Sequence, residues 1–260
     1  MIFRRVAANF RRQDWTAVAI ELSIVILGVF IGIQVSNWNE QRETNQRAAV
    51  FTARLKADLR GEDWSYQFLL AYNREVLANS NRAIDALEGT APLPDEALLV
   101  SAYRATQYKN RNSRGSTYDE LISTGTIGLV HDPELRDIAI RLYNIATFDN
   151  LVREGLQSKY REAFRMRVAN RVQRVLAERC GDRYIRPGDY GAIHGILDFP
   201  CTTGLSTQDI ADAVKALRSD PGIVPFLRLR IADLETRLVD LTSNNRDIME
   251  YLRNIGRERP

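Results

Sequence analysis

The chain has 260 residues, 45% of them hydrophobic and 8% aromatic, enough to bury a core in one medium-sized domain and too apolar for a disordered chain. Its 36 Lys and Arg stand against 33 Asp and Glu, a formal charge of +3. A balance so even and dispersed excludes the concentrated basic face that nucleic-acid binding needs.

The strongest local signal runs from Trp15 to Trp38, WTAVAIELSIVILGVFIGIQVSNW. About 20 apolar residues cross a bilayer as a helix, and Trp favours the two interfaces, so the run predicts a transmembrane helix with Trp15 and Trp38 as interfacial anchors. A cleaved signal peptide is the competing reading. Its apolar region is shorter, about 7–15 residues, and ends at a small-x-small site that Gln34-Val35-Ser36-Asn37-Trp38 does not supply. Length and flank favour an uncleaved signal-anchor.

Arg4, Arg5, Arg11 and Arg12 precede the run with only Asp14 against them, whereas Glu40, Arg42, Glu43 and Arg47 mix both signs after it. The positive-inside rule then predicts a bacterial inner-membrane protein with 1–14 as a cytoplasmic basic segment, 15–38 as the transmembrane helix and 39–260 as a periplasmic domain. Cys180 and Cys201 fit that placement. They are the only two cysteines, and they flank an irregular stretch with Pro187, Pro200 and several Gly, read as a loop over 180–205. An oxidising compartment permits a disulfide between them, contributing about 3 kcal/mol through lost loop entropy of the unfolded chain. Two unpaired buried thiols remain the alternative.

The fold class expected is all-α, one N-terminal transmembrane helix continuing into an elongated helical-bundle domain. Apolar residues near helical spacing carry the first helix outward to about Leu87, where Gly89, Pro92 and Pro94 stop it. A helix from Asp95 to about Tyr108 follows. Ser116 and Asp119 then suggest a capping box for a short helix, with Gly125 and Gly128 making a turn. Pro133, at a favoured first-turn position, opens a long helix to about Arg179. Ser206 and Asp209 cap another to about Ser219.

The last segment is the most regular. Leu227, Ile231, Leu234, Leu238, Leu241, Asn245, Ile248, Leu252 and Ile255 alternate steps of four and three, a heptad seam. Asn245 falls at a position where a polar residue specifies coiled-coil register and pairing. The same stripe also suits a helix packed inside its own antiparallel bundle. Few complementary charges flank the seam, which favours the second reading.

Inside the apolar run, Glu21, Gly28 and Gly32 lie seven and eleven residues apart, on one helix face at about 100° per residue. A lone charged carboxylate in hydrocarbon is costly, and GxxxG lets another helix approach closely. Together they predict a membrane helix contact, with another membrane protein or with a second copy. The bland alternative has Glu21 reaching headgroups and the glycines incidental.

Chemistry-bearing motifs are absent. His131 and His194 are the only histidines, and there is no HExxH, thiolate cluster, phosphate or dinucleotide glycine loop, or GxSxG. No catalytic residue, metal site or cofactor is assigned, and the expectation is not an enzyme.

Two stretches carry a resemblance. ELSIVILGVFIGIQVSNWNEQR, Glu21 to Arg42, and STYDELISTGTIGLVHDPELRDIAIRLYN, Ser116 to Asn144, resemble an uncharacterised bacterial family of N-terminally anchored proteins, a domain of unknown function. They cover about a fifth of the chain. The resemblance implies placement and a helical domain, and supplies no activity. The reading that follows is a structural or accessory subunit, bound to the lipid bilayer and to a protein partner. The competing reading is an extracytoplasmic ligand-binding or sensing module that signals through a partner, its small-molecule ligand unknown; with about 14 residues inside, it cannot carry a signal inward alone.

Overall fold

The first helix, α1, runs unbroken over Trp15–Glu88 in the computed structural model, which describes residues 15–110 and 115–257. The basic flank Arg4, Arg5, Arg11 and Arg12, with Asp14, lies outside the described residues, as does the side chain of Trp15. Beyond α1 come α2 (Asp95–Arg104), α3 (Ser116–Ser123), α4 (Pro133–Tyr143), α5 (Ala146–Leu156), α6 (Lys159–Arg167) and α7 (Asn170–Cys180). After the cysteine loop follow α8 (Thr207–Ser219), α9 (Ile223–Val239) and α10 (Arg246–Arg257). The described residues are helical with connecting turns, an all-α fold.

Two units divide the chain: Met1–Thr52 with Gly128–His131, and Ala53–Ile127 with Asp132–Pro260. In the first, every described residue of α1 from 19 to 47 is exposed, including Ile24, Leu27, Phe30 and Ile31. Up to about Trp38 that surface is largely apolar on every side, long and apolar enough to cross a membrane, and from Asn39 to Arg47 it turns polar.

In the second unit α1 changes character. Leu55, Leu59, Tyr66, Leu69, Tyr72, Val76 and Ala83 are buried at steps of three, four and seven, one stripe of an amphipathic helix. Polar residues on that stripe bond back to their own helix: Asn73 Nδ2 donates to the Leu69 carbonyl and Ser80 Oγ to that of Val76, both at 2.8 Å. The helix ends where Gly89 takes φ +81° and Thr90 N–H reaches the Asp85 carbonyl at 2.9 Å, a Schellman closure.

Most of the core joins the end of α1 to α2, α6, α7, α8 and α9. Ala83 and Ile84 pack in one cluster with Leu98, Leu99, Tyr160, Phe164, Leu176, Leu217 and Leu227. The Tyr160 hydroxyl, fully buried, donates to the Ala102 carbonyl at 2.9 Å and so ties α6 to α2. A second cluster sets Tyr72 and Val76 against Ile196, Leu197 and Leu234, burying part of the cysteine loop.

Four expectations change. The helix from Asp95 stops at Arg104, and the long helix from Pro133 to Arg179 is four helices. Asn144 leaves helical geometry as its Nδ2 donates to Tyr118 Oη at 2.9 Å. Ser158 accepts from Arg161 N–H as an N-cap, and Val168 turns extended. Each short helix thereby buries its own face: Phe148 and Leu151, then Tyr160 and Phe164, then Val172 and Leu176. At α3, Ser116 is not the cap. Gly115 holds the N-cap position, and Asp58 Oδ2 on α1 accepts the Thr117 N–H at 3.0 Å. Pro133 does open its helix in the first turn, where Asp132 is found as the N-cap accepting from Glu134 and Leu135, and the expected cap at Ser206, accepting from Asp209 N–H, is present.

The C-terminal seam is interrupted as well. A single wide turn at Asp240–Asn244 separates α9 from α10, closed by Asn245 N–H to the Asp240 carbonyl at 3.2 Å. Tyr66 Oη donates to the Leu241 carbonyl there at 2.6 Å. The half-buried Asn245 turns its Nδ2 back on the Asp240 carbonyl at 2.9 Å. Leu227, Leu234, Leu241, Ile248 and Leu252 are fully buried within the chain, so the stripe packs inside the bundle. Leu252→Ala is expected to lower the unfolding free energy by about 2–5 kcal/mol without changing the association state. Denaturant titration with sedimentation velocity checks this; altered association at unchanged stability would make the seam an interface.

Candidate functional site

Two features of the chain offer themselves for interaction, one in each unit. In the first, Glu21, Gly28 and Gly32 lie on the exposed part of α1. No heavy atom comes within 4 Å of where a Cβ would sit on either glycine, so that face is open to another helix. Trp38 is 67% exposed at the end of the apolar run, with the Arg42 guanidinium 6.0 Å from its ring. About 35 Å separates Trp15 from Trp38 along the axis at 1.5 Å per residue, close to the thickness of a hydrocarbon core with its interfaces.

In the second unit, Cys180 and Cys201 are disulfide-bonded, their Cα atoms 5.6 Å apart. The segment they close has neither helix nor strand, and its backbone groups are answered by side chains of α1 and α2. Glu75 Oε1 accepts from Gly195 N–H at 2.5 Å, and Oε2 from Leu197 and Asp198 N–H at 2.7 and 2.9 Å. Arg104, 4% exposed, donates Nε to the Cys180 carbonyl at 3.1 Å and Nη2 to that of Phe199 at 2.9 Å. Glu96 accepts from the Thr203 hydroxyl and N–H at 2.6 and 2.8 Å.

Those two bonds hold the Glu96 carboxyl below its ordinary value, the hydroxyl contributing most. A depressed carboxyl stabilises the fold above the unfolded value of about 4.3, and that contribution is lost as the pH falls through the lower folded value. Around the loop, Tyr72 Oη donates to Asp182 at 2.9 Å and Tyr190 Oη to Asp63 at 2.7 Å.

A groove of about 510 Å³ runs between the loop, α1 and α2, lined by Asn79, Arg82, Val100, Arg104, Asp198 and Phe199 among others. Its carboxylates are committed, Asp198 to Arg82 at 2.5 Å and Glu96 to Thr203. His131 and His194 are exposed, and no group of three or more metal-ligating side chains occurs among the described residues. Sequence patterning singled out the cysteines and missed Glu75, Glu96 and Arg104. On the wheel they read as ordinary charges, and only the distant segments they meet distinguish them.

The family of unknown function DUF6090 matches residues 21–162, more than half of the chain. The chain belongs to DUF6090. No curated protein and no solved structure matches it. Both Glu21–Arg42 and Ser116–Asn144 fall inside the DUF6090 match, which starts at the very glutamate set in the apolar helix. The match ends within α6, leaving α7, the disulfide loop and α8–α10 beyond it.

Replacing both cysteines by Ala is expected to lower stability by about 3 kcal/mol, read by denaturant unfolding. Glu75→Ala should speed amide exchange at Gly195, Leu197 and Asp198 about tenfold or more while leaving α9 unchanged. Unaltered exchange at all three amides would deny Glu75 its role in holding the loop.

Proposed function

We propose that the protein is a single-pass protein of the bacterial inner membrane, N-terminus cytoplasmic and helical domain periplasmic, acting as a structural or accessory subunit. One observation carries this reading: Glu21, Gly28 and Gly32 share an open face of an otherwise apolar, uncovered helix. Each large apolar side chain left in water costs about 1.5–3 kcal/mol relative to burial, so the apolar run of α1 up to Trp38 calls for lipid. Lipid does not answer Glu21. A carboxyl at that depth is stabilised by a polar group on a neighbouring helix, and the two glycines allow one to come close. The disulfide supports an oxidising compartment for the domain.

The alternative is an extracytoplasmic binding or sensing module that passes its signal to a partner. Native mass spectrometry of protein drawn gently from its own membranes separates the two. A defined heteromeric complex supports the subunit reading, and a monomer or homo-oligomer supports the sensing module. Glu21→Ala or Gly28→Leu is expected to weaken assembly while leaving the unfolding transition of the domain in place. Intact assembly in both variants would sink the contact.

A further inference from the structure

Across the second unit, guanidinium groups are commonly answered by carboxylates: Arg82 by Asp198, Arg167 by Asp220, Arg228 by Glu88, Arg237 by Glu154. A cavity of about 390 Å³, between the end of α2 and the corner joining α6 to α7, departs from this. Arg161, Arg165 and Arg174 line it together with Tyr103, Gln107 and Gln173, and the lining holds no carboxylate. Among the described residues, none of the three guanidiniums has an Asp or Glu within ion-pair distance. Asp182, which lies near enough to act on Tyr103, is already held by Lys109 Nζ at 2.6 Å and by the Tyr72 hydroxyl.

The cavity is built and not incidental. Arg161 is half-buried, donates Nη1 to the Thr106 carbonyl at 3.2 Å and lies over the Tyr108 ring at 5.0 Å, so its guanidinium has a fixed direction. Gln173 Nε2 donates to the carbonyls of Arg165 and Val168 at 2.9 and 2.6 Å, which sets the corner that brings α6 and α7 arginines to one hollow. Burial, and then the neighbouring Arg165 charge, lower the Arg161 pKa. Like charges held together in a partly dry hollow oppose folding, and a bound anion relieves that repulsion.

We propose that this cavity is a binding site for a phosphate-type oxyanion carried on a larger molecule. Three guanidinium forks suit a tetrahedral group with several acceptor oxygens and up to two charges better than a single carboxylate, which one fork already matches. The volume leaves room for an esterified group beyond the anion, and Tyr103, Gln107 and Gln173 offer neutral polar contacts to it. A soluble phosphate ester and a phospholipid headgroup share this chemistry. The site stands independently of what the apolar helix contacts.

The test is calorimetric titration of inorganic phosphate and of glycerol 3-phosphate into the full chain in a nonionic detergent, alongside assay of phosphatidylglycerol co-purifying with it. Saturable binding of either soluble anion supports the site with a soluble source. Retained phosphatidylglycerol without such binding supports it with a headgroup source. In each case the R165Q/R174Q variant must bind about tenfold or more weakly, or lose the lipid, since both side chains are exposed and their replacement leaves the core intact. The R186Q/R218Q variant, carrying the same charge change outside the cavity, must bind as the parent does. Binding of none of the three probes by the parent chain, or equal binding by R165Q/R174Q, overturns the proposal.

Discussion

Backbone amides in the Gly- and Pro-containing stretch after Cys180 have no ladder or helical turn to satisfy them, and a buried amide left alone costs about 1–3 kcal/mol. Glu75 answers three of them from one side chain, and Arg104 takes two carbonyls from the other side. Much of the second unit depends on that arrangement. It lets Ile196 and Leu197 enter the core against Tyr72 and Val76, it fixes the carbonyl end of α7, and it gives the groove beside the disulfide its wall. The covalent bond closes the segment, but the charged side chains of α1 and α2 decide where it lies.

What could be read from the sequence is what local chemistry decides. The reach of α1, its stop at Gly89, the helix start at Pro133, the cap at Ser206 and the pairing of Cys180 with Cys201 each follow from residues close to the feature. The cysteines needed only to be the sole pair around an irregular stretch. What could not be read depends on distant partners. Thr117 is capped by Asp58 from another helix, and nothing near Ser116 announces it. The breaks at Asn144, Ser158 and Val168 fall on no Gly or Pro; Asn and Ser favour helix ends but also occur within helices, and it is the need of each short helix to turn its own apolar face inward that makes these positions stops. Steps of four and three persist through the wide turn at Asp240, so the seam looks unbroken although the helix is not. The arginines of α6 and α7 were invisible for the same reason, since it takes the corner at Val168 to bring them together.

DUF6090 membership and the structure bear on function from different ends. The matched region begins in the apolar helix, at the one carboxylate of its apolar run, and includes the first half of the domain. The unmatched region supplies the disulfide loop, more than half of the arginine-lined cavity and the helices that complete the core. Leu98 of the matched region and Phe164 and Leu217 of the unmatched one lie in a single cluster, so the core draws on both parts. An interaction in the membrane and a ligand site in the domain are therefore compatible readings of separate parts of one chain.

The pairing of α1 with the C-terminal segment has a consequence for how the molecule is made. Arg60 donates to the Ile255 carbonyl and Tyr66 to that of Leu241, contacts 195 and 175 residues apart in the sequence. Synthesis delivers Arg60 and Tyr66 first and their acceptors last, so this face of α1 emerges long before α10 exists. A nascent chain thus spends most of its elongation with part of that face open to water, in reach of chaperones, proteases and neighbouring chains. Closure of that end of the bundle waits for α10, so the last residues made complete contacts begun by the first helix.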